Sequence, residues 1–142
     1  HYNLGGIDKL IDARVGQTPM VGSEWLGWSG QNPMIQMEWP KTPQAKKIGI
    51  SLLKQEESWI YLPEEINLEW SNDGIQFERL AKVDKSTLDA KYVHNQLFEW
   101  EIPDESFRFI RISFRSMKSI PDGKPGSGQD PWLFLSEIVL KD

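Results

Sequence analysis

Hydrophobic and polar residues alternate along most of the chain. In residues 34–39 the apolar side chains of Ile35, Met37 and Trp39 alternate with the polar side chains of Gln36 and Glu38. A two-residue period places apolar side chains on one face of a strand and polar ones on the other, as in an antiparallel sheet with one solvated face. The pattern predicts strands over residues 34–39, 47–53, 65–70, 75–81, 97–102, 107–114 and 132–140.

Details of the pattern refine this prediction. Residues 132–140 are apolar on both faces, which is typical of a central, buried strand. Residues 107–114 change phase between Phe109 and Ile110, which indicates a bulge or a change of packing face. In residues 47–53, Gly49 and Ser51 occupy the polar face. The segment 71–74 (SNDG) is a turn signal that predicts a hairpin between 65–70 and 75–81.

The remaining segments read as loops and one short helix. Residues 7–14 carry three apolar side chains at helical spacing, which predicts a short helix or an ordered loop. Residues 15–33 and 115–131 are rich in Gly and Pro and read as long loops, and residues 82–96 read as a polar loop anchored by Leu88. The prediction is one all-β domain over 1–142, an antiparallel two-sheet sandwich of about eight strands with at most one short helix near the N-terminus.

Composition excludes several classes of function. The 142 residues suffice for one domain, and the absence of cysteine excludes disulfides, cysteine zinc sites and a thiol nucleophile. Two histidines cannot form a three-histidine metal centre, and the net charge of −5 argues against nucleic acid as a partner. No apolar stretch reaches the ~18 residues that a membrane span needs. Because the chain begins with His1 rather than Met, we expect it to be excised from a longer, processed chain.

The sequence has no catalytic motif, and we expect no enzymatic activity of this domain alone. A Ser–His–Asp triad would have to use His94, which lies in a polar segment. Glu137, in the apolar run LFLSEIVL, is the unusual carboxylate, and Asp12 beside Ile11 is a second one in apolar surroundings. A buried carboxylate needs a cation or several donors. A Ca²⁺ held by Asp12 and Glu137 is one solution, and an Arg or Lys partner or exposure at a sheet edge are others.

The seven tryptophans divide into two groups. Trp39, Trp70 and Trp100 share strand faces with aliphatic residues and are expected in the core, as is Trp25. Trp28, Trp59 and Trp132 lie in predicted loops or beside them, where aromatic rings either close the ends of a sandwich or stack on a sugar. For the stacking interpretation, the polar side chains available to bind sugar hydroxyls include Glu57, Gln129 and Asp130.

Several segments, in order, resemble the discoidin-like (coagulation factor V/VIII type C) domains, which are jelly-roll sandwiches. The matching segments are LIDARVG, WSNDGIQFERL, FRFIRISF and SEIVL, and together they extend over nearly the whole chain. GSEWLGW, SWIYLPEEI and GSGQDPWLFLSEI further resemble the C-terminal module of Bacteroidetes-type chitobiases and β-N-acetylhexosaminidases. Related modules form family 32 of the carbohydrate-binding modules.

The resemblance implies a non-catalytic accessory domain of a secreted glycoside hydrolase, placed in the periplasm, at the cell surface or outside the cell. It implies galactose- or hexosamine-type glycans as ligands and the catalytic domain of the same chain as a partner. The family's calcium carboxylates match Asp12 and Glu137. The alternative implied by the same resemblance is a structural domain that packs on the catalytic domain and has no ligand of its own.

Overall fold

The alternating segments form eight strands within residues 26–93 and 97–141, the part of the chain described by the computed structural model. A 3-10 turn (Glu56–Ser58) and an α-helix, α1 (Lys85–Lys91), complete the described elements. The strands are β1 (Leu26–Ser29), β2 (Met34–Glu38), β3 (Lys47–Leu52), β4 (Glu65–Ser71), β5 (Glu78–Asp84), β6 (Phe98–Glu101), β7 (Phe109–Arg115) and β8 (Trp132–Lys141).

The strands pair into two four-stranded sheets that enclose one main core. The first sheet has the order β1-β8-β3-β6 and the second has the order β2-β7-β4-β5. Every pairing between these strands is antiparallel. The predicted all-β, two-sheet antiparallel sandwich is therefore confirmed. None of the helices in the described ranges is long and apolar enough to cross a membrane.

Alternate side chains of both sheets fill the space between them. Ile35 and Met37 of β2 and Ile110 and Ile112 of β7 are at most 2% exposed. Burying each such side chain stabilises the fold by about 1.5–3 kcal/mol before entropic costs. Of the four tryptophans predicted to be core, Trp70 is buried, and Trp39 and Trp100 are partly buried and pack against the same cluster. Trp25 lies outside the described residues.

The two central strands of the first sheet are covered on both faces. For β8 this confirms the prediction from its continuous apolar run. For β3 the prediction of a solvated face is wrong, because Gly49 and Ser51 are buried. A β-carbon added at Gly49 would lie 3.1 Å from Leu97 Cδ1, so the absence of a side chain allows this close packing.

The hairpin between β4 and β5 has a longer turn than the sequence predicts. The carboxylate of Asp73 accepts hydrogen bonds from the backbone N–H groups of Ile75 and Gln76, at 2.8 and 3.0 Å. These bonds keep the chain in the turn, and β5 begins at Glu78 rather than at 75. Local carboxylate–backbone bonds of this kind compete with the ladder, which the alternation of apolar residues does not reveal.

Two other predictions of local structure are wrong, and one of the two alternatives of a third is excluded. Residues 82–96 contain α1, whose N-cap Asp84 accepts the Thr87 N–H at 2.9 Å and whose Leu88 is fully buried. Strand β1 lies within the predicted loop 15–33, where its hydrogen bonds to β8 form a ladder. Strand β7 keeps a regular register with both neighbours, which excludes the bulge. The change of packing face remains, because Phe107 is buried before the strand begins and Phe109 is only partly buried. The predicted helix over 7–14 lies outside the described residues.

Helix α1 is tied to the first sheet by Asp89. Its carboxylate lies 2.7 Å from Lys85 Nζ and 3.1 Å from Lys54 Nζ, just beyond the end of β3. Tyr92 Oη accepts the Lys54 N–H at 3.1 Å and adds a second link. Burial by itself would raise the pKa of Asp89, but its contacts with Lys85 and Lys54 outweigh burial and hold this pKa below 3.8.

We expect Asp89→Asn to lower the melting temperature at pH 7, because it removes the charge that pairs both lysines. An acid whose pKa is depressed by folding stabilises the fold above its unfolded pKa and loses this contribution as the pH falls. The difference between wild type and variant should therefore shrink below about pH 4. Thermal denaturation from pH 3 to 7 measures it, with Glu105→Gln as an exposed control. A difference that does not change with pH would contradict the ion-pair role.

Candidate functional site

Two partly exposed tryptophans are held next to each other by backbone hydrogen bonds at one end of the sandwich. Trp59 and Trp132 are each 39% exposed. The Trp132 N–H donates to the Trp59 carbonyl at 2.7 Å, and the Tyr61 N–H donates to the Trp132 carbonyl at 3.0 Å. The segment after the 3-10 turn thus adds a short parallel bridge to the beginning of β8. The site therefore rests on backbone hydrogen bonds from a central strand.

Trp59 is held in an unusual backbone conformation. It ends the 3-10 turn with φ at 63°, the left-handed region, and among described non-glycine residues it alone has a positive φ. Such a conformation costs on the order of 1 kcal/mol or more for a bulky residue and persists only where the surroundings impose it. Here the Trp59 N–H donates to the Glu56 carbonyl at 2.9 Å, and the neighbouring Ile60 pairs with Gln55.

The indole of Trp59 lies directly on Gly126. A β-carbon added at Gly126 would lie 2.7 Å from both Cε2 and Nε1 of the indole, and equally close to Ile120 Cδ1. Gly126 has φ at 83°, which also favours glycine. A residue without a side chain is therefore required beneath the ring. The sequence identifies this glycine only as part of the predicted long loop 115–131.

Residues 120–129, called here the 120–129 loop, are held by many bonds despite their Gly and Pro content. The loop closes on itself where the Ile120 N–H donates to the Gln129 carbonyl and the Gly128 N–H donates to the Ile120 carbonyl, both at 2.8 Å. Tyr61 Oη donates to the Pro125 carbonyl at 2.8 Å, and Lys124 Nζ lies 3.4 Å from Glu56 Oε1. The loop is fastened to the segment that carries Trp59.

Trp132 extends from the outer face of the first sheet. Its ring centroid lies 5.6 Å from that of Phe134, two residues along β8. Phe134 in turn covers Gly27 of β1 and packs with Leu53 and Ile60 in a small cluster outside the main core. One side of the Trp132 ring is therefore supported by apolar packing.

The three polar residues predicted to bind hydroxyls are all exposed at this end. The side chains of Glu57 and Gln129 make no hydrogen bond or ion pair within the described ranges, so their polar atoms are available to a ligand. The carboxylate of Asp130 lies against Gly30, where an added β-carbon would be 2.7 Å from Oδ2. Asp130 therefore lies on the β1 side of Trp132, and Glu57 lies on the side of the 3-10 turn.

Trp28 does not take part in this surface, and its prediction as a stacking residue is wrong. It belongs to β1, opposite Leu133 of β8, and is 5% exposed within the main core. The Gly-rich sequence around Trp28 does not predict a strand, because β1 depends on its pairing with β8. The sequence also did not identify Tyr61, Gly126 and Lys124 as supports for Trp59, since these contacts join segments about 65 residues apart.

Glu137 is buried in the middle of the first sheet. It lies on central strand β8 opposite Ser51 of β3 and is 6% exposed, so exposure at a sheet edge is excluded. Burial raises its pKa above 4.5, an effect that the charge of Lys141 partly offsets. Lys141 itself pairs with Glu99, and Glu137 Oε1 has no hydrogen-bond partner. The described ranges contain no group of three or more metal-ligating side chains, and Asp12 lies outside them.

Comparison with known proteins identifies the fold. No family model matches the chain, and no curated protein matches it. Among solved structures it is similar to the family 32 carbohydrate-binding module of AlyQ in complex with 4,5-unsaturated mannuronic acid. The TM-score is 0.58 at 12% identity, covering 94% of this chain and 84% of that one. The C-terminal domain of a chitobiase from Bacteroides fragilis matches with a TM-score of 0.37 at 14% identity, covering 82% and 66%. The fold expected from the resemblance is confirmed.

We expect Gly126→Ala to displace the Trp59 indole. Gly126 and Gly128 have nearly the same φ, 83° and 84°, but a β-carbon at Gly128 would meet nothing within 4 Å. In both alanine variants, backbone strain should lower the free energy of unfolding by about 1 kcal/mol. Gly126→Ala should lower it further and should also shift the NMR resonance of the Trp59 indole N–H. Thermal denaturation and NMR measure the two effects. Equal losses with an unmoved resonance would show that the ring does not rest on Gly126.

Proposed function

We propose that this domain is a non-catalytic carbohydrate-binding module whose ligand contacts Trp59 and Trp132. The observation that carries the proposal is the strained, externally braced conformation of Trp59. A large aromatic side chain held partly exposed at a cost in backbone strain indicates a functional surface, because burial in the core does not explain it. The family 32 fold of the similar AlyQ module supports the same interpretation.

The chemistry of the surface suits a pyranose ring. The C–H groups on one face of a sugar pack on an indole, while its hydroxyl groups need hydrogen-bond partners at the ring edge. Glu57, Gln129 and Asp130 lie on the segments that carry the two tryptophans and are exposed. Carboxylates accept from hydroxyls, and the Gln129 amide both donates and accepts. No nucleophile or general acid is needed for this role.

The expected affinity is low. Covering about 100 Å² of apolar surface contributes about 2.5 kcal/mol, and three hydrogen bonds contribute about 1 kcal/mol each. Association costs about 4 kcal/mol or more, so the dissociation constant for one sugar should be millimolar or weaker. Such a module acts through avidity, by raising the local concentration of an attached enzyme at its glycan.

The identity of the glycan and of the enzyme is a further part of the proposal. By its sequence resemblance, the domain binds galactose- or hexosamine-type glycans and belongs to a secreted, periplasmic or cell-surface glycoside hydrolase of the chitobiase or β-hexosaminidase type. The partner within the same chain would be the catalytic domain. If no sugar binds, the structural alternative takes its place, in which the exposed tryptophans contact that catalytic domain.

We expect Trp59→Gly and Trp132→Ala each to weaken sugar binding at least tenfold, because each removes a stacking ring. Glycine tolerates φ at 63°, so Trp59→Gly should fold at least as well as Trp59→Ala, which keeps the strain. Titration with galactose, N-acetylglucosamine, N-acetylgalactosamine and chitobiose, followed by NMR, measures the affinities.

Ile75→Ala is the matched control, since Ile75 is an exposed apolar residue (82%) in the β4–β5 turn. It should bind as wild type does. Saturable binding that survives both tryptophan substitutions would refute the assignment of the site. A wild-type domain that binds none of the sugars up to high millimolar concentration would refute the function.

We also propose a structural Ca²⁺ held by Glu137 and Asp12. The unpartnered, buried Oε1 of Glu137 fits one carboxylate ligand of such an ion, because a hard cation would offset its desolvation. Asp12 is included by the resemblance alone. The ion would neutralise the buried charge and join the N-terminal segment to β8. It would have no part in sugar chemistry.

We expect Ca²⁺ at about 100 times its dissociation constant to add about 2.7 kcal/mol of stability, or about 5–10 °C in melting temperature. Without calcium, the raised pKa of Glu137 predicts that its charged form destabilises the fold, progressively as the pH rises above 4.5. Glu137→Gln should therefore abolish the calcium response and, in chelator, melt higher than wild type at pH 7. Melting curves with Ca²⁺ and with EGTA test both effects, and identical wild-type curves would refute the metal.

A further inference from the structure

Carboxylates flank the tryptophan pair on both sides. The start of β8 lies between Ser29 of β1, which pairs with Trp132, and Ile60, which bridges to it. Asp130 lies on the β1 side, against Gly30, and Glu57 lies in the 3-10 turn two residues before Trp59. Neither carboxylate has a cationic partner among the described residues. Both carboxylates belong to exposed residues on the segments that carry the two tryptophans.

The lysines of the same segments do little to neutralise this charge. Lys124 pairs with Glu56 at 3.4 Å, and Lys54 pairs with Asp89 at 3.1 Å. Segments 54–61 and 116–132 contain one further acidic residue, Asp122, and one further lysine, Lys118. With Glu57 and Asp130 unpaired, the described segments that carry the rings contain more acidic than basic side chains.

The buried Tyr61, on the segment that carries Trp59, is affected by nearby negative charges. Its pKa is raised first by burial and then by the charges of Glu56 and Glu57. A negative charge raises the pKa of a phenol because it opposes a second negative charge nearby. The charges of the two glutamates thus act on the Tyr61 phenol, which lies on the same segment as Trp59.

We infer that this site selects sugars by charge, accepting neutral and amine-bearing pyranoses and rejecting uronates. The inference rests on the proposed function and narrows its ligand class. A uronate would place its carboxylate beside Glu57 or Asp130. The segments that carry the two rings offer that carboxylate one unpaired cation, Lys118. A protonated amino group would form a charge-assisted hydrogen bond with either carboxylate. The site thus differs in its ligand from the AlyQ module, which is in complex with an unsaturated uronic acid.

The test compares galactose, galactosamine and galacturonate, which share a ring and differ in charge. At an ionic strength of about 0.1 M, matched with NaCl in all three titrations, we expect galactosamine to bind roughly fivefold more tightly than galactose at pH 6.5, and galacturonate at least fivefold more weakly, since exposed charge pairs contribute up to about 1 kcal/mol each. At 0.5 M NaCl the three affinities should converge, because screening acts over a few ångströms there. NMR titration measures all three.

Glu57→Gln and Asp130→Asn should each reduce the ratio of galactosamine affinity to galactose affinity, because each removes a negative charge and keeps an acceptor oxygen. Asp104→Asn is the matched control, because Asp104 is an exposed carboxylate that follows β6. It lies at the end of the first sheet where Lys47 of β3 is opposite Glu101 of β6 and Lys141 of β8 in the strand register, away from Trp132. Galacturonate that binds as well as galactose, or a galactosamine preference unchanged by both site variants, would overturn the inference while the module still binds sugar. Failure of all three sugars would instead count against the proposed function.

Discussion

The site depends on the hydrogen bonds that join Trp132 to the segment 59–61. Trp132 begins the central strand β8, and its backbone N–H and carbonyl bond to Trp59 and Tyr61 at 2.7 and 3.0 Å. Because β8 pairs with both β1 and β3, any movement of Trp132 would disturb the middle of the first sheet. The two exposed tryptophans are thus fixed by a central strand of the first sheet, although both lie where a loop meets that strand.

Rigidity at this end comes from contacts between segments that are distant in the chain. The 120–129 loop is closed by its own backbone bonds and fastened to the 3-10 turn through Tyr61, Lys124 and the packing of Trp59 on Gly126. Ordering a side chain or loop on binding costs free energy that a weak ligand cannot offset. Under the proposed function, rings that are already held in place would lower this cost for a weakly bound sugar, and the strained backbone of Trp59 would serve that purpose.

Charge and burial serve different roles in the two acidic regions. At the tryptophan pair, Glu57 and Asp130 are exposed, remain solvated and are free to act on a ligand. On the same sheet, Glu137 is enclosed and its Oε1 lacks a hydrogen-bond partner. The first arrangement costs little and, in the proposed function, would select ligands by weak, salt-sensitive interactions. The second carries the free-energy cost of burying a carboxylate. A bound cation at Glu137 and a recognition role at Glu57 and Asp130 are therefore separate hypotheses with separate tests.

The sequence by itself determined the sandwich, because strand periodicity is a local property set by the alternation of apolar side chains. It identified the central strand β8, the core positions of Trp70 and Leu88, and Trp59 and Trp132 as distinct from the core tryptophans. Only the tertiary structure decided what depends on pairing between distant segments. It made a strand of 26–29 and buried Trp28 against β8, covered the outer face of β3, and placed Gly126 beneath Trp59. It also moved the start of β5 and formed α1, since the side-chain bonds of Asp73 and Asp84 decide where those elements begin. Apolar periodicity carries no information about such contacts, because they depend on which segments meet and not on how each segment alternates.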